Sequence, residues 1–355
     1  MDKSLVVFEK YVKAQRTKEN YQYFFSKFME WCKNSVDKLI TADGLLILKE
    51  SALQTVVEDY VMYLRKRVSP NSLTPILASI ELYFSMNDKV LNWKRVKKMI
   101  PERVKKSGYS AYQNEDVKKL LEGCGSSKRN RCIVLMMVST GCRIGALEGL
   151  KLKHISNMPD GCRAVLFYEN STEEYQGFLT NEASKALDEM LQERQKDGER
   201  LDDESCVFRE TYQIGIQKSK HMSLRAIKLV LLRAVRNVER RKFGNRYDVM
   251  TSHGIRKRYA TIIKMNKDIP YSVGERLLGH QIDLDPSYFV PTKENLFNFW
   301  KLIIPELIID ESERERTRRV EAEKKINELE TEKDLRIKDL EGKIETLFQM
   351  ISDKD

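Results

Sequence analysis

The chain of 355 residues is too long for one ordinary domain and predicts two domains with an appendage. At 41% hydrophobic and 33% charged it excludes wholesale disorder and points to long, solvent-bathed helices, and its sparse glycine and proline agree with a mainly helical chain. The formal net charge of +10 favours a polyanionic partner, although an uncommitted basic surface gives the same balance.

Residues 1–92 read as helical hairpins. Thr17 is placed to cap a helix in which Tyr21, Phe24, Phe25, Phe28 and Met29 share one face, with Trp31 just beyond. Leu53, Val56, Val57, Tyr60 and Val61 recur at helical spacing, and Ser69-Pro70 opens another helix through Leu77, Ile80 and Tyr83. These aromatics are read as core rather than as platforms for nucleobases. The stretch WKRVKKMIPERVKKSG follows, in which Lys94, Arg95, Lys97, Lys98, Arg103, Lys105 and Lys106 face a single acid, Glu102. Pro101 and Gly108 mark it as an interdomain linker over 93–111, with a charge suited to a path along a DNA backbone.

Beyond Tyr112, helices mix with a short β region. Ala164–Tyr168 and Tyr175–Thr180 are β-prone runs separated by polar residues, the pattern of a hairpin. A helix is predicted from Ser223 to Lys242, with Leu224, Ile227, Leu231, Val235 and Val238 on its apolar side and Arg225, Lys228, Arg236 and Arg240 opposite. From 311 to 355 an apolar seam runs Ala322, Ile326, Leu329 and, after Lys333, Ile337, Leu340, Ile344, Leu347 and Ile351. This is a heptad pattern with one four-residue insertion. Two readings fit it: self-association as a coiled coil, or a lone charged helix lying on its own domain.

Six cysteines contain no C-x-x-C pair, and with four scattered histidines they show no zinc spacing, so reduced thiols and no metal site are expected. Nor does any G-x-x-x-x-G-K-[ST] loop call for a nucleotide; the expected cofactor is none. No apolar run reaches the length of a signal peptide core or membrane span, which predicts a soluble, cytoplasmic protein without a membrane partner.

Four sequence boxes belong together: TGCRIGALEGL with Arg143, SHGIRKRYAT with His253 and Arg256, LLGH with His280, and DPSYF with Tyr288. Together they resemble the tyrosine recombinase and phage integrase family, whose pattern is an arginine in a T-G-x-R-I turn, a later H-x-x-R, then L-G-H and a tyrosine. The GxRIGAL turn, the HGIRK box and the LDPSYFVPT context are similar in style to archaeal integrases, including those of archaeal viruses or mobile elements. The resemblance implies a mainly α fold with a small β-sheet. Its parts would be a helical, SAM-like core-binding domain over 1–92, the linker over 93–111, an α+β catalytic domain over 112–310 and a coiled-coil helix over 311–355.

It also implies the chemistry. A phosphodiester resists anionic attack, so catalysis is mainly charge neutralisation and positioning. Planar, permanently charged guanidiniums suit that task, and the motif match gives it to Arg143 and Arg256. The small residues around Arg143 predict a tight turn into a helix whose N-terminal amides favour an anion. By resemblance His253 assists proton transfer, His280 hydrogen-bonds a phosphate oxygen and Tyr288 is the nucleophile. The implied partners are double-stranded DNA and further copies of the chain, as a tetramer on DNA, joined by the apolar segment Phe297–Ile309 with the coiled coil as a second candidate. The protein would then be nucleoid-associated when bound.

Two positions depart from the family. Its hairpin lysine, the acid for the leaving oxygen, has no counterpart in Glu169–Glu174, where Thr172 takes the position. A threonine hydroxyl is a weak general acid, which puts turnover in question. Ala146 stands where an acid often orients the first arginine, with Glu148 nearby. Three functions are therefore weighed: an active recombinase or integrase, a DNA-binding relative with weak or no cleavage, and a type IB topoisomerase-like enzyme.

Overall fold

In the computed structural model, residues 3–12, 14–102, 110–211, 219–243, 246–280 and 289–352 are described, the side chains of 3, 7, 9, 243, 246, 321, 324, 328 and 345–352 excepted. The chain divides into two units, Met1–Lys106 and Ser107–Asp355.

The first unit is a helical bundle of α1 (Lys3–Lys10), α2 (Gln15–Ser35), α3 (Ala42–Ile47), α4 (Glu50–Arg65), α5 (Pro70–Met86) and α6 (Trp93–Lys98). Its core is the expected one. Phe25 and Phe28 of α2 meet Leu53, Val57, Tyr60 and Val61 of α4 and Leu77, Ile80 and Tyr83 of α5, all buried. The aromatic rings are spent on each other, with Phe25 and Tyr83 centroids 4.1 Å apart and Phe28 and Tyr60 5.0 Å apart. Thr17 is not the cap of α2. The helix starts earlier, behind an extended Ala14 whose carbonyl accepts the Lys18 N–H at 3.0 Å, so Thr17 sits inside the first turn.

The segment expected as a linker begins as a helix of this unit. Asn92 caps α6 by accepting the Arg95 N–H at 3.0 Å, and Val96 is buried in the bundle. Apolar Val96 at one position of an otherwise basic turn is enough to dock it. Arg95 pairs with Glu58 and Lys97 with Glu81, while Lys94 and Lys98 are exposed. Arg103, Lys105 and Lys106 lie outside the described residues.

The second unit is built around α8 (Lys128–Thr140), preceded by α7 (Asn114–Glu122); every residue of α8 from Cys132 to Thr140 is buried. A helix apolar on all sides is a central helix. Against it lies an antiparallel sheet in the order β1 (Ile155–Asn157), β2 (Arg163–Phe167) and β3 (Tyr175–Leu179), with Ala164 opposite Phe178 and Phe167 opposite Tyr175. Ser139 fastens helix to sheet by donating to the Phe178 carbonyl at 3.0 Å. Then come α9 (Asn181–Lys196), α10 (Leu224–Ala234), the two-residue strands β4 (Lys242–Phe243) and β5 (Arg246–Tyr247), α11 (Thr251–Met265) and α12 (Tyr271–Leu277).

The helix expected from Ser223 to Lys242 stops at Ala234, tightens into a 3-10 turn and is extended at Val238. Val235 and Val238 are buried nonetheless. A seam stepping by three or four residues reads the same through a 3-10 turn as through an α-helix, so periodicity ran past the true end.

Next in the described chain are α13 (Lys293–Lys301) and α14 (Ile304–Leu307). The segment expected to be exchanged between copies is packed within its own unit in the single chain. Phe297 and Trp300 lie 5.3 and 5.5 Å from the Phe178 ring, and Ile303, Ile304, Leu307, Ile308 and Ile309 are buried. The last helix, α15 (Glu311–Ser352), is anchored only at its start among the described residues. Glu311 pairs with Lys118 and Glu313 with Lys185, and the Arg314 guanidinium donates to the Ile308 carbonyl. All six cysteines are buried and free. Among the described residues no helix is long and apolar enough to cross a membrane, and no cluster of His, Cys, Asp or Glu is placed to hold a metal ion.

Candidate active site

Arg143 is delivered by the end of α8. Thr140 is followed by Gly141 at φ +58°, a left-handed cap, and a side chain there would also meet the Tyr259 ring, since a Cβ would lie 2.2 Å from it. The expected helix after Arg143 is a four-residue 3-10 turn, Ile144–Leu147, with Arg143 extended before it. It is too short to gather a helix dipole, so the local positive charge comes from side chains rather than helix amides. The half-buried Arg143 guanidinium donates to the Gly279 carbonyl at 3.3 Å.

Gly279 is also where His280 is aimed. At φ +62° it ends α12 in a left-handed turn, and the His280 N–H returns to the Glu275 carbonyl at 2.9 Å. This turn folds the His280 ring back over the helix it has just left, so that Nδ1 lies 2.6 Å from Oε2 of Glu275. Glu275 is buried and its other oxygen lies 2.9 Å from Nζ of Lys264. Burial pushes this carboxyl up, but Lys264 and His280 outweigh it and hold it below the usual range. An ionised Glu275 makes Nδ1 the protonated nitrogen of His280.

Nε2 of His280 therefore faces the other way, 3.0 Å from Nη2 of Arg256. Arg256 lies in α11 at 7% exposure, and its fork also donates to the carbonyls of Gly141 at 2.8 Å and Leu278 at 2.5 Å. Burial lowers its pKa from the ordinary value, and Arg143 nearby acts in the same direction. His253, one turn earlier on α11, is held below the usual histidine value by burial first, then by Arg256, Lys257 and Arg143. It is neutral near pH 7 and able to accept a proton.

A cleft of about 370 Å³ opens beside this group, lined by Thr172, Tyr175, Arg276, Gly279, His280 and Phe289. Tyr288 lies outside the described residues. Its successor Phe289 lines the same cleft as His280, and its carbonyl accepts from Arg276 at 2.9 Å. The structure thus gathers Arg143, His253, Arg256 and His280, with Thr172 on the cleft wall. Sequence reasoning missed Glu275, Lys264 and Arg276. The only signal for the first was an acid five residues before His280 with a glycine between them.

Residues 111–283 match the phage integrase family.

Solved structures share the fold. One is the XerH site-specific recombinase bound to difH substrate in a pre-cleavage complex (20% identity, TM-score 0.52, 75% of this chain and 74% of that one). Another is a lambda integrase fragment, as a dimer bound to a COC′ core site (16% identity, TM-score 0.51, 82% and 96%). A third is the Tn1549 transposon integrase in complex with transposon right end DNA (13% identity, TM-score 0.51, 84% and 99%). No curated protein sequence matches the chain significantly.

The matched segment departs from the family's pattern at the positions expected from its sequence. The turn between β2 and β3 contains no lysine and puts Thr172, Glu173 and Glu174 on the cleft wall, where Lys293 also lies. Lys151 and Lys153, which follow the arginine turn in the chain, are engaged elsewhere: Lys151 pairs with Glu204, and Lys153 with Glu169 and Glu204. Ala146 is buried in the core. Glu148 accepts the Leu224 N–H at 2.9 Å, serving the start of α10.

Proposed function

We propose that the chain is a tyrosine-type site-specific recombinase or integrase that cleaves and rejoins DNA strands through a 3′-phosphotyrosyl intermediate on Tyr288. The observation that carries this reading is the approach of Arg143 to Gly279 and of Arg256 to His280, two residues that line a cleft of the second unit. Arg143 and Arg256 hold the non-bridging oxygens of the scissile phosphate; because Nδ1–H of His280 is committed to Glu275, His280 donates to the phosphate only as an imidazolium, with a second proton on Nε2. His253 takes the phenol proton as the Tyr288 oxygen attacks phosphorus. The bond to the 5′-oxygen breaks, and that oxygen must gain a proton. Reversal by the 5′-hydroxyl of another strand expels Tyr288. The phosphodiester energy stays in the enzyme linkage, so the reaction requires no metal or nucleotide.

In this reading, residues 1–92 and the catalytic domain over 112–310 engage double-stranded DNA. The 93–111 segment, with Lys94, Arg95, Lys97, Lys98, Arg103, Lys105 and Lys106, meets its backbone. Copies assemble on DNA as a tetramer through the post-tyrosine segment, with the tail over 311–355 contributing. The motif style supports an archaeal integrase carried by a virus or mobile element, working in the cytoplasm on the nucleoid.

The test is an SDS-resistant covalent complex with cognate DNA, expected for the natural chain and lost in Tyr288→Phe. No adduct on a site the protein demonstrably binds would refute it. The lysine-free turn favours a second reading, a DNA-binding relative with weak cleavage. If the leaving-group proton limits turnover, Thr172→Lys accelerates cleavage by about tenfold or more, and an unchanged rate removes that reading's motive. A monomer that relaxes supercoiled DNA without joining two sites would mark a type IB topoisomerase-like enzyme instead.

A further inference from the structure

We infer that α15 pairs with the same helix of a second copy as a parallel, in-register, two-stranded coiled coil. The helix runs from Glu311 to Ser352, about 60 Å at 1.5 Å per residue. Among the described residues only its first turns are held by the rest of the unit, through Lys118, Lys185 and the carbonyls that receive Arg314. Beyond them the seam is open in the single chain: Ile326, Leu329, Ile337, Leu340 and Ile344 are 54, 57, 41, 55 and 52% exposed. The helix therefore does not lay this seam on its own domain.

The occupant is identified by residue type and charge. With the four-residue insertion after Lys333, the a positions hold Ile326, Ile337, Ile344 and Ile351, and the d positions hold Ala322, Leu329, Leu340 and Leu347. β-Branched residues at a with leucine at d select two parallel strands, and a single lysine at a, here Lys333, fixes register at some cost in stability. The flanks agree. Glu323, Glu330 and Glu341 occupy e, whereas Lys325, Arg336 and Lys343 occupy g, with Glu332 the exception. In a parallel pair, g of one helix meets e of the next heptad on the other, placing Lys325 against Glu330 and Arg336 against Glu341 of the second copy. In an antiparallel pair, e meets e and g meets g, which sets glutamates against glutamates and bases against bases.

The experiment uses the full chain without DNA, so its outcome is independent of the catalytic reading. Sedimentation or light scattering should give twice the 41.6 kDa chain mass, falling to the monomer in Ile337→Asp, whose site is exposed in the single chain and so leaves the fold intact. Ala322→Cys should cross-link two copies at the start of the seam, over a background of six buried native thiols. An antiparallel pair would separate the two introduced thiols by about 40 Å. A monomeric natural chain, a trimer or tetramer, a dimer that survives Ile337→Asp, or a dimer in which Ala322→Cys forms no cross-link would each overturn the proposal.

Discussion

Arg256 and Arg143 are proposed to do similar work on the phosphate, yet the protein holds them very differently, and replacing each by lysine separates structure from chemistry. Arg256 is almost fully buried and its fork spans the carbonyls of Gly141 and Leu278. A lysine ammonium is compact and keeps one of these contacts while the other carbonyl goes without a partner. Hydrogen bonds to charged donors contribute about 1.5–3 kcal/mol each, so Arg256→Lys should lose about that much stability. For a unit of this size each kcal/mol moves Tm by about 2–4 °C, giving a drop of about 3–12 °C. Arg143 is half-buried and makes one long bond, 3.3 Å, to Gly279. Its replacement should cost less than about 1 kcal/mol. Both variants should lose roughly a hundredfold or more in the rate of covalent-complex formation, because a planar pair of donors is gone from the charged oxygens. Thermal melting and single-turnover cleavage measured side by side decide the matter. An Arg256→Lys protein that melts with the natural chain, or an Arg143→Lys protein that melts as early as Arg256→Lys, would show that the two anchorages are not as described.

Other expectations follow from the same contacts. Glu275→Gln removes the charge that fixes the proton on Nδ1 of His280; cleavage should fall about tenfold to a hundredfold with DNA affinity little changed, and an unaltered rate would show that Glu275 does not position the ring. Gly141→Ala forces a side chain into the left-handed region and onto the Tyr259 ring. It should cost about 3 kcal/mol or more, read by denaturant melting, and a loss below about 1 kcal/mol would contradict the geometry. His253 titrates below its ordinary 6.5 in the folded chain. The unfolded chain then binds more protons between the lowered value and 6.5, so this group's contribution favours folding above 6.5 and erodes as pH falls through that window. Histidine-resolved NMR should place its midpoint below 6.5 and move it upward in Arg143→Gln; a midpoint at or above 6.5 would refute the assignment.

Much of this site was legible because its parts are local signals. A T-G-C-R turn carries its own left-handed glycine, and H-x-x-R places two groups one helical turn apart. The first-unit core was equally readable, since Leu53 through Val61 repeat at helical spacing and are buried on one face. What escaped needed three dimensions. Glu275 reaches His280 only because Gly279 reverses the chain between them, and no periodicity announces that. Val96 stands alone among basic residues in the sequence, and only the bundle gives it an apolar place. The end of α10 was lost because burial of Val235 and Val238 continues after the helix itself has stopped.

The acceptors that hold Arg256 include two main-chain oxygens, those of Gly141 and Leu278. Every amino acid brings the same carbonyl, so the identity of neighbouring side chains can drift while these two contacts survive. What such drift must preserve is the path of the backbone through two turns, each governed by a glycine. For anyone redesigning this protein, the two bends that shape the cavity around the guanidinium are therefore the features to keep.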